Sequence, residues 1–197
     1  AGPNTFWLPP EEVRRRPGAV GIPLFDVEVK LVGPAGDTLE GAAEGELCVR
    51  GPHVCGGYWN KPEETRKVFV DGWLHTGDLA RRDADGHYTI VGRSKDIIIS
   101  GGENVYPAEV EAVMAAHPAV AEVALIPVPD AKWGEVPRAV VVTKPGETAT
   151  GEELIAFTKA RLASYKAPKS VVFVATLPKT GVGKIDKRAL VAEHGKG

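Results

Sequence analysis

The order of hydrophobic and polar positions changes character partway along the chain. Up to about residue 90, apolar side chains alternate with polar ones, as in 26–32 and 46–50, which is the pattern of half-buried strands. Residues 78–80 and 87–91 predict two further strands, and the Asp85-Gly86 pair between them favours a tight hairpin with positive φ angles. We therefore expect an antiparallel β subdomain, a small sheet or distorted barrel.

Beyond about residue 92, helix signals alternate with strand signals. Pro107 suits the first turn of a helix, Thr150 with Glu153 forms a capping box, and Asp186 is expected to cap a last helix. This combination predicts a small two-layer α+β domain. Short apolar runs that predict its buried strands are 123–126, 139–142 and 171–174.

The change of pattern predicts two domains, residues 1–94 and 95–197, in an α+β chain. The 197 residues carry 24 Lys and Arg against 26 Asp and Glu, so the chain lacks the basic character of a nucleic-acid-binding module. No apolar run is long enough to span a membrane. Cys48 and Cys55 fit neither a metal motif nor a disulfide framework, which predicts a cytoplasmic location and no metal site.

Two polar segments of the first part have both a structural and a functional interpretation. Asp78 follows Thr-Gly and has two interpretations: a turn-capping residue, or a carboxylate that accepts hydrogen bonds from both hydroxyls of a ribose. Residues 92–96 (Gly-Arg-Ser-Lys-Asp) lie at the predicted boundary. Charged residues at such a position are typical of a solvated linker.

Two glycine-containing segments follow in the second part. Gly101-Gly102 is typical of a hairpin, but it would also let a ligand approach the backbone closely. Residues 177–185 contain Gly-Val-Gly-Lys, yet Pro178 and Ile185 exclude a phosphate-binding P-loop. What remains is Lys184 on a loop, either simply solvated or a cation that stabilises charge developing on phosphoryl and carboxylate oxygens.

In this order and spacing, the segments resemble the adenylate-forming superfamily. This superfamily comprises acyl-CoA synthetases, aryl-CoA ligases, luciferases and the adenylation domains of peptide synthetases. The resemblance covers nearly the whole chain. It is carried by Gly-Trp-Leu-His-Thr-Gly-Asp-Leu (72–79), by the run from Gly92 to Glu111, by Pro-Lys-Thr-Gly-Val-Gly-Lys-Ile-Asp-Lys-Arg (178–188), and by Gly57 to Thr65.

The resemblance implies a role for each matching residue. Asp78 would bind the ribose, Arg93 and Lys95 would also lie at the nucleotide, and Lys95 would be the hinge between the domains. Gly101 and Gly102 would line the path of the CoA pantetheine. The catalytic residue would be Lys184, which is also a plausible site of regulatory lysine acylation.

The implied activity is that of a fatty-acid or related acyl-CoA ligase that uses ATP, Mg²⁺ and CoA and forms an acyl-adenylate. The family's Gly/Ser/Thr-rich phosphate loop and its Tyr-Gly-x-Thr-Glu motif do not occur in the sequence. We therefore expect a piece of a longer enzyme, inactive alone: the last β subdomain of the N-terminal domain and a mobile C-terminal domain. The acyl group and the oligomeric state stay open. Alternatives are an acyl-AMP ligase or adenylation domain with another acceptor, and a non-catalytic binding module.

Overall fold

A computed structural model describes residues 4–196 of the chain. The chain divides into two compact units, of which the first extends to Lys95 and the second begins at Asp96. Their assignment to the N-terminal and C-terminal domains of a longer enzyme stays a prediction. No helix within residues 4–196 is long and apolar enough to cross a membrane.

The first unit is built almost entirely of strands, with two short helices. Its strands are β1 (Phe6–Trp7), β2 (Ala19–Pro23), β3 (Glu28–Val32), β4 (Thr38–Leu39), β5 (Ala43–Arg50), β6 (Phe69–Val70), β7 (Trp73–Arg82) and β8 (Tyr88–Arg93). Its helices are α1 (Pro10–Val13) and α2 (Pro62–Val68), and a 3₁₀ turn, Ser94–Asp96, follows β8.

The eight strands of this unit form one sheet in which every pairing is antiparallel. Their order is β1-β2-β8-β7-β5-β3-β4, and β6 pairs with β7. Strand alternation sends one set of side chains into a common core; its buried members are Leu31, Leu47, Val49, Ala80 and Tyr88. The predicted antiparallel subdomain is confirmed.

The hairpin between β7 and β8 differs from the prediction in its turn. Only Gly86 has a positive φ, of 83°, because the connection is a three-residue loop rather than a two-residue turn of the Asp-Gly type. Asp83 begins the loop: its backbone N–H donates to the carbonyl of His87, at 2.9 Å. Its Oδ1 accepts hydrogen bonds from the backbone N–H groups of Asp85 and His87, at 3.0 and 2.9 Å.

The second unit combines a mixed sheet with three helices. Its elements are β9 (Ile98–Ser100), β10 (Glu103–Val105), α3 (Pro107–Ala115), β11 (Val120–Asp130), β12 (Gly134–Thr143), α4 (Gly151–Lys159), β13 (Ser170–Phe173) and α5 (Lys187–His194). The strands run in the order β10-β9-β12-β11, and β13 pairs in parallel with β12.

Helices pack on both faces of this sheet. Side chains of α3 and α4, such as Met114 and Leu154, are buried with Leu125 on one face. On the opposite face, Leu190 of α5 is buried with Ile126. The predicted α+β class is confirmed, but α5 on the opposite face adds a third layer to the two layers that the pattern predicted.

The local signals at the helix ends are confirmed in atomic detail. Thr150 Oγ1 accepts a hydrogen bond from the backbone N–H of Glu153, and Glu153 Oε2 accepts one from the backbone N–H of Thr150, which completes the capping box. Asp186 Oδ1 accepts hydrogen bonds from two backbone N–H groups at the start of α5, both at 3.1 Å. The start of α3 at Pro107 also agrees with the prediction.

Candidate functional site

Strand β7 contains a bulge where it pairs with β5. Glu46 pairs with Leu79 and Cys48 pairs with His75, so the single residue Leu47 of β5 lies opposite the three residues 76–78 of β7. Bulges of this kind interrupt the ladder and re-aim the side chains they carry. The sequence pattern placed the start of this strand at Asp78; the strand in fact begins at Trp73, and Asp78 lies at the end of the bulge.

The bulge is held in place by three hydrogen bonds. Gly77 has a φ of +70°, a conformation that favours glycine, and its N–H donates to Glu46 Oε1 at 3.1 Å. The hydroxyl of Thr76 donates to the carbonyl of Leu47, at 2.7 Å, and accepts from the N–H of Asp78, at 3.1 Å. The extra residues are therefore fixed by specific contacts.

This arrangement brings Asp78 and Arg93 together. The two residues are register partners in β7 and β8, and Arg93 Nε lies 2.8 Å from Asp78 Oδ1. Arg93 Nη2 also donates to the carbonyl of Thr76, at 3.2 Å, which ties the guanidinium to the bulge. The side chains are 49% and 37% exposed for Arg93 and Asp78, so both remain accessible to a ligand.

A cavity of about 620 Å³ lies beside this pair, and Thr76, Asp78 and Arg93 contribute to its lining. Its apolar wall includes Val49 and Leu74. Ligand sites commonly combine such an apolar wall with a few convergent polar groups. The carboxylate suits a sugar, because it can accept hydrogen bonds from two hydroxyls. The guanidinium suits a phosphate, because it pairs with an anion.

Lys95 lies in the 3₁₀ turn Ser94–Asp96, at the last position of the first unit. Its side chain is exposed. The turn follows directly on Arg93, so the chain passes from the candidate site to the second unit within two residues.

Gly101 and Gly102 form the two-residue turn between β9 and β10. Their φ angles are +62° and +86°, which is the combination that a type I′ hairpin needs. Gly101 also donates its N–H to the carbonyl of Trp133 at 2.9 Å, and a Cβ at Gly101 would lie 2.5 Å from the Trp133 ring. A Cβ at Gly102 would meet nothing within 4 Å, so the turn is open on that side.

Lys184 lies at the end of a tight loop that precedes α5. The backbone N–H of Thr180 donates to the carbonyl of Lys184 at 2.7 Å, and that of Gly183 donates to the carbonyl of Thr180 at 2.8 Å. Neighbouring lysines are paired, Lys179 with Glu122 at 2.9 Å and Lys187 with Glu111 at 2.6 Å. Within residues 4–196, Lys184 forms no ion pair, and its side chain is exposed.

The structure thus joins Asp78 to Arg93 directly and places Gly101, Gly102 and Lys184 on two separate loops of the second unit. Sequence reasoning missed the supporting residues Glu46 and Thr76. Glu46 is 31 residues from its partner Gly77, so no local spacing indicates the contact. The only signal for Thr76 is its position in the Thr-Gly-Asp triplet.

Comparison with known families gives two matches in the chain. Residues 1–59 match the family of AMP-binding enzymes, and residues 109–184 match the AMP-binding enzyme C-terminal domain.

Curated relatives and solved structures agree with these matches. The chain is 49% identical over 187 residues to a feruloyl-CoA synthase of Amycolatopsis sp, which covers 95% of the chain and 38% of that protein. It is 46% identical over 200 residues to a medium/long-chain-fatty-acid–CoA ligase of Mycobacterium tuberculosis, covering 98% of the chain and 35% of that protein. The chain therefore spans little more than a third of the length of these relatives.

Two solved structures illustrate the range of the fold. The o-succinylbenzoate CoA synthetase MenE from Bacillus subtilis, in complex with its acyl-adenylate intermediate, has a TM-score of 0.89 and 39% identity, covering 94% of the chain and 38% of that protein. The amide bond synthetase McbA from Marinactinospora thermotolerans has a TM-score of 0.82 and 41% identity, covering 90% of the chain and 36% of that protein.

Proposed function

Because the chain belongs to the family of adenylate-forming AMP-binding enzymes, we propose that it forms part of an ATP-dependent acyl-CoA synthetase. The reaction joins a carboxylic acid, fatty or related, to CoA through an acyl-adenylate, with release of pyrophosphate and AMP. The observation that carries the proposal is the bulge of residues 76–78, which holds Asp78 against Arg93 beside a cavity. Support also comes from relatives whose names are those of CoA ligases.

In this proposal Asp78 and Arg93 bind the nucleotide. The Asp78 carboxylate has lone pairs left over from its contact with Arg93, so it can accept hydrogen bonds from two ribose hydroxyls at once. Arg93 is held by the carbonyl of Thr76 as well as by Asp78, and in this proposal its guanidinium pairs with a phosphate of the nucleotide. Mg²⁺ enters as the counter-ion of ATP.

Lys95 serves as the hinge and as a further nucleotide contact. The two half-reactions need different groups beside the same substrate: first a carboxylate oxygen attacks the α-phosphorus of ATP and pyrophosphate leaves, then the CoA thiolate attacks the carbonyl carbon of the acyl-adenylate and AMP leaves. A rotation at Lys95 exchanges the Lys184 loop for the Gly101-Gly102 turn. The boundary between the two compact units, which falls directly after Lys95 within the turn Ser94–Asp96, supports this location of the hinge.

Gly101 and Gly102 line the pantetheine path of CoA. A turn without Cβ atoms lets a thin, extended chain approach the backbone closely. Gly102, which faces open space, is the residue whose surface is available to such a ligand.

Lys184 is the catalytic cation of the adenylation step. Its ammonium is exposed and free of ion pairs within the described residues, so it can be delivered to the oxygens on which negative charge develops. The same exposure would permit acylation of the amine, which deletes the charge and would switch the first half-reaction off. A reducing, cytoplasmic compartment fits the two free cysteines and belongs to the same proposal.

The experiment that tests this function separates the two half-reactions in the whole enzyme. Lys184→Ala should slow acyl-adenylate formation by about 10²–10³-fold, the cost of removing one pre-placed charge-stabilising group. A supplied acyl-adenylate should still react with CoA at close to the normal rate. Lys184→Arg should restore only part of the first step, because a wide guanidinium does not reproduce a compact point charge.

Lys179→Ala is the matched control. Lys179 lies at the base of the same loop but is paired with Glu122, so its removal should leave both half-reactions nearly unchanged. Equal slowing of both half-reactions by Lys184→Ala, or equal effects of the two substitutions on adenylation, would show that Lys184 has a structural role.

A second candidate is an enzyme of the same first step with another acceptor, such as an amine. The similarity to an amide bond synthetase favours keeping this candidate. The two functions differ in what consumes the adenylate. Loss of free CoA thiol during turnover supports the CoA ligase, whereas turnover without thiol loss in the presence of an amine supports the alternative.

A further inference from the structure

A cluster of three potential metal ligands lies on the side of β5 and β7 next to the bulge. Glu46 and Cys48 are two residues apart in β5 and therefore share a face of the sheet, and His75 is the register partner of Cys48 in β7. His75 Nδ1 lies 2.9 Å from Glu46 Oε2 and 3.4 Å from Cys48 Sγ. All three ligand atoms lie within 4.8 Å of one another.

We propose that Glu46, Cys48 and His75 form a binding site for a zinc ion. A thiolate, an imidazole and a carboxylate are the three ligand types that Zn²⁺ uses in proteins, whereas Mg²⁺ and Ca²⁺ prefer oxygen ligands alone. Three protein ligands leave a fourth position of the tetrahedron for water. The inference does not depend on the proposed function.

The distances suit a tetrahedral ion after small adjustments. With metal–ligand bonds of about 2.0–2.3 Å, neighbouring ligand atoms in a tetrahedron lie roughly 3.3–3.7 Å apart. The separation of His75 Nδ1 from Cys48 Sγ already has this value, and Glu46 Oε2 has to withdraw from His75 Nδ1 by a few tenths of an ångström. Glu46 Oε2 and Cys48 Sγ lie within 4.8 Å of each other and have to approach by at most about 1 Å. Side chains anchored on paired strands of one sheet can make such a change without altering the backbone.

The charges at the cluster also favour a divalent cation. A zinc ion bound here would neutralise the Glu46 charge and bind the thiolate directly, and metal coordination deprotonates a thiol outright. Zn²⁺ bound by one thiolate and one carboxylate is electrically neutral. A neutral site suits this position, because Cys48 is fully shielded from solvent.

The bound ion would stabilise the neighbouring bulge. Glu46 would use Oε2 for the metal and keep Oε1 for the N–H of Gly77, so one carboxylate would connect the zinc ion to the segment that carries Asp78. Such a contact fixes the orientation of a ligand in the manner of an outer-shell hydrogen bond. This site could not be predicted from local spacing, because His75 is 27 residues from Cys48, and the sequence analysis predicted no metal site.

The test uses the reduced, metal-free 197-residue chain with Zn²⁺ in titration calorimetry and Co²⁺ as a spectroscopic probe. We expect one Zn²⁺ per chain, a thiolate-to-cobalt charge-transfer band, loss of that band when Zn²⁺ is added, and a higher melting temperature with zinc. Cys48→Ser should abolish the band, and His75→Gln should weaken zinc binding by more than about 100-fold, beyond the usual effect of an outer-shell change.

Cys55→Ser is the matched control, because Cys55 is the exposed second cysteine and lies outside the cluster. It should retain both the band and the affinity. Absence of a band in the wild-type chain overturns the proposal, and so does a band that survives in Cys48→Ser or disappears in Cys55→Ser. Circular dichroism checks the fold of each variant; if Cys48→Ser does not fold, His75→Gln and the wild-type spectrum decide.

Discussion

At the scale of single residues, the candidate nucleotide site depends on one backbone conformation. Gly77 has a φ of +70° in the middle of the bulge, and its N–H donates a hydrogen bond to Glu46 Oε1. A residue with a Cβ is strained at such a φ even where space is free, and here the nearest atom to a Cβ would be Arg93 Nη2, at 4.0 Å. The strain therefore comes from the backbone and not from crowding.

We expect Gly77→Ala to destabilise the first unit by about 1–2 kcal/mol, the cost of placing an L-residue in the left-handed region. In the whole enzyme it should also weaken nucleotide binding, because relief of the strain would move Asp78 away from Arg93. Thermal unfolding and nucleotide titration measure the two effects. Gly36→Ala, at φ +84° in an open turn far along the chain from the site, is the control: it should destabilise similarly but leave nucleotide affinity unchanged.

The single residue Asp83 makes a pH-dependent contribution to the stability of the folded protein. Desolvation would raise the pKa of its carboxyl, but hydrogen bonds from the backbone of His87 and Asp85 and the nearby charge of Arg16 outweigh it, so the pKa is lowered below 3.8. A carboxyl whose pKa is lowered on folding adds stability above its unfolded pKa, and this contribution is lost as the pH falls through the folded pKa.

Asp83→Asn should accordingly lower the melting temperature at neutral pH and have a smaller effect as the pH falls through the lowered pKa of the folded protein, where the wild-type carboxyl becomes protonated too. Melting curves across this range measure the difference between the two proteins. A constant difference at every pH would mean that Asp83 acts through its shape and not its charge.

At the scale of elements, local sequence signals were sufficient to predict an interaction wherever its partners are only a few residues apart. The capping box of Thr150 and Glu153 and the Asp186 cap were predictable because each is made within three residues of chain. The bulge at 76–78 and the cluster of Glu46, Cys48 and His75 were not, since both depend on the register between strands about 30 residues apart. Register is set by the fold as a whole, and a single strand's alternation does not encode it.

The hairpin of β9 and β10 gives a prediction at this scale. Both turn glycines have positive φ angles, but only a Cβ at Gly101 would collide with a neighbour, 2.5 Å from Trp133 Cε3. Gly101→Ala should therefore destabilise the second unit more than Gly102→Ala does. Thermal unfolding of the two variants compares them, and Trp133→Ala combined with Gly101→Ala should recover part of the difference. Equal melting temperatures for the two glycine variants would contradict the assigned contact.

At the scale of the whole molecule, the fold class and the change of architecture near residue 94 followed from periodicity alone. Each unit has its own core, around Leu31 and Tyr88 in the first and around Met114 and Leu125 in the second. Strand alternation and helical spacing report burial directly, which is why the class could be predicted. The proposed roles of Asp78, Arg93 and Lys184 needed the family resemblance as well, because a carboxylate or a lysine on a loop has no distinctive local pattern.

The last prediction concerns the two units together and the residue that joins them. If Lys95 is the hinge, its backbone must take different φ/ψ values in the adenylation and thioester-forming arrangements. Proline fixes φ near −65°, so Lys95→Pro in the whole enzyme should favour one arrangement and slow one half-reaction far more than the other. Lys95→Ala is the control, because it removes the same charge and leaves the backbone free. Any nucleotide contact made by the Lys95 side chain is lost in both variants, so the difference between their rates reports the effect on the hinge. Single-turnover assays of acyl-adenylate formation and of its reaction with CoA measure the two steps separately. Equal slowing of both steps in Lys95→Pro, or identical behaviour of the two variants, would place the hinge elsewhere in the chain.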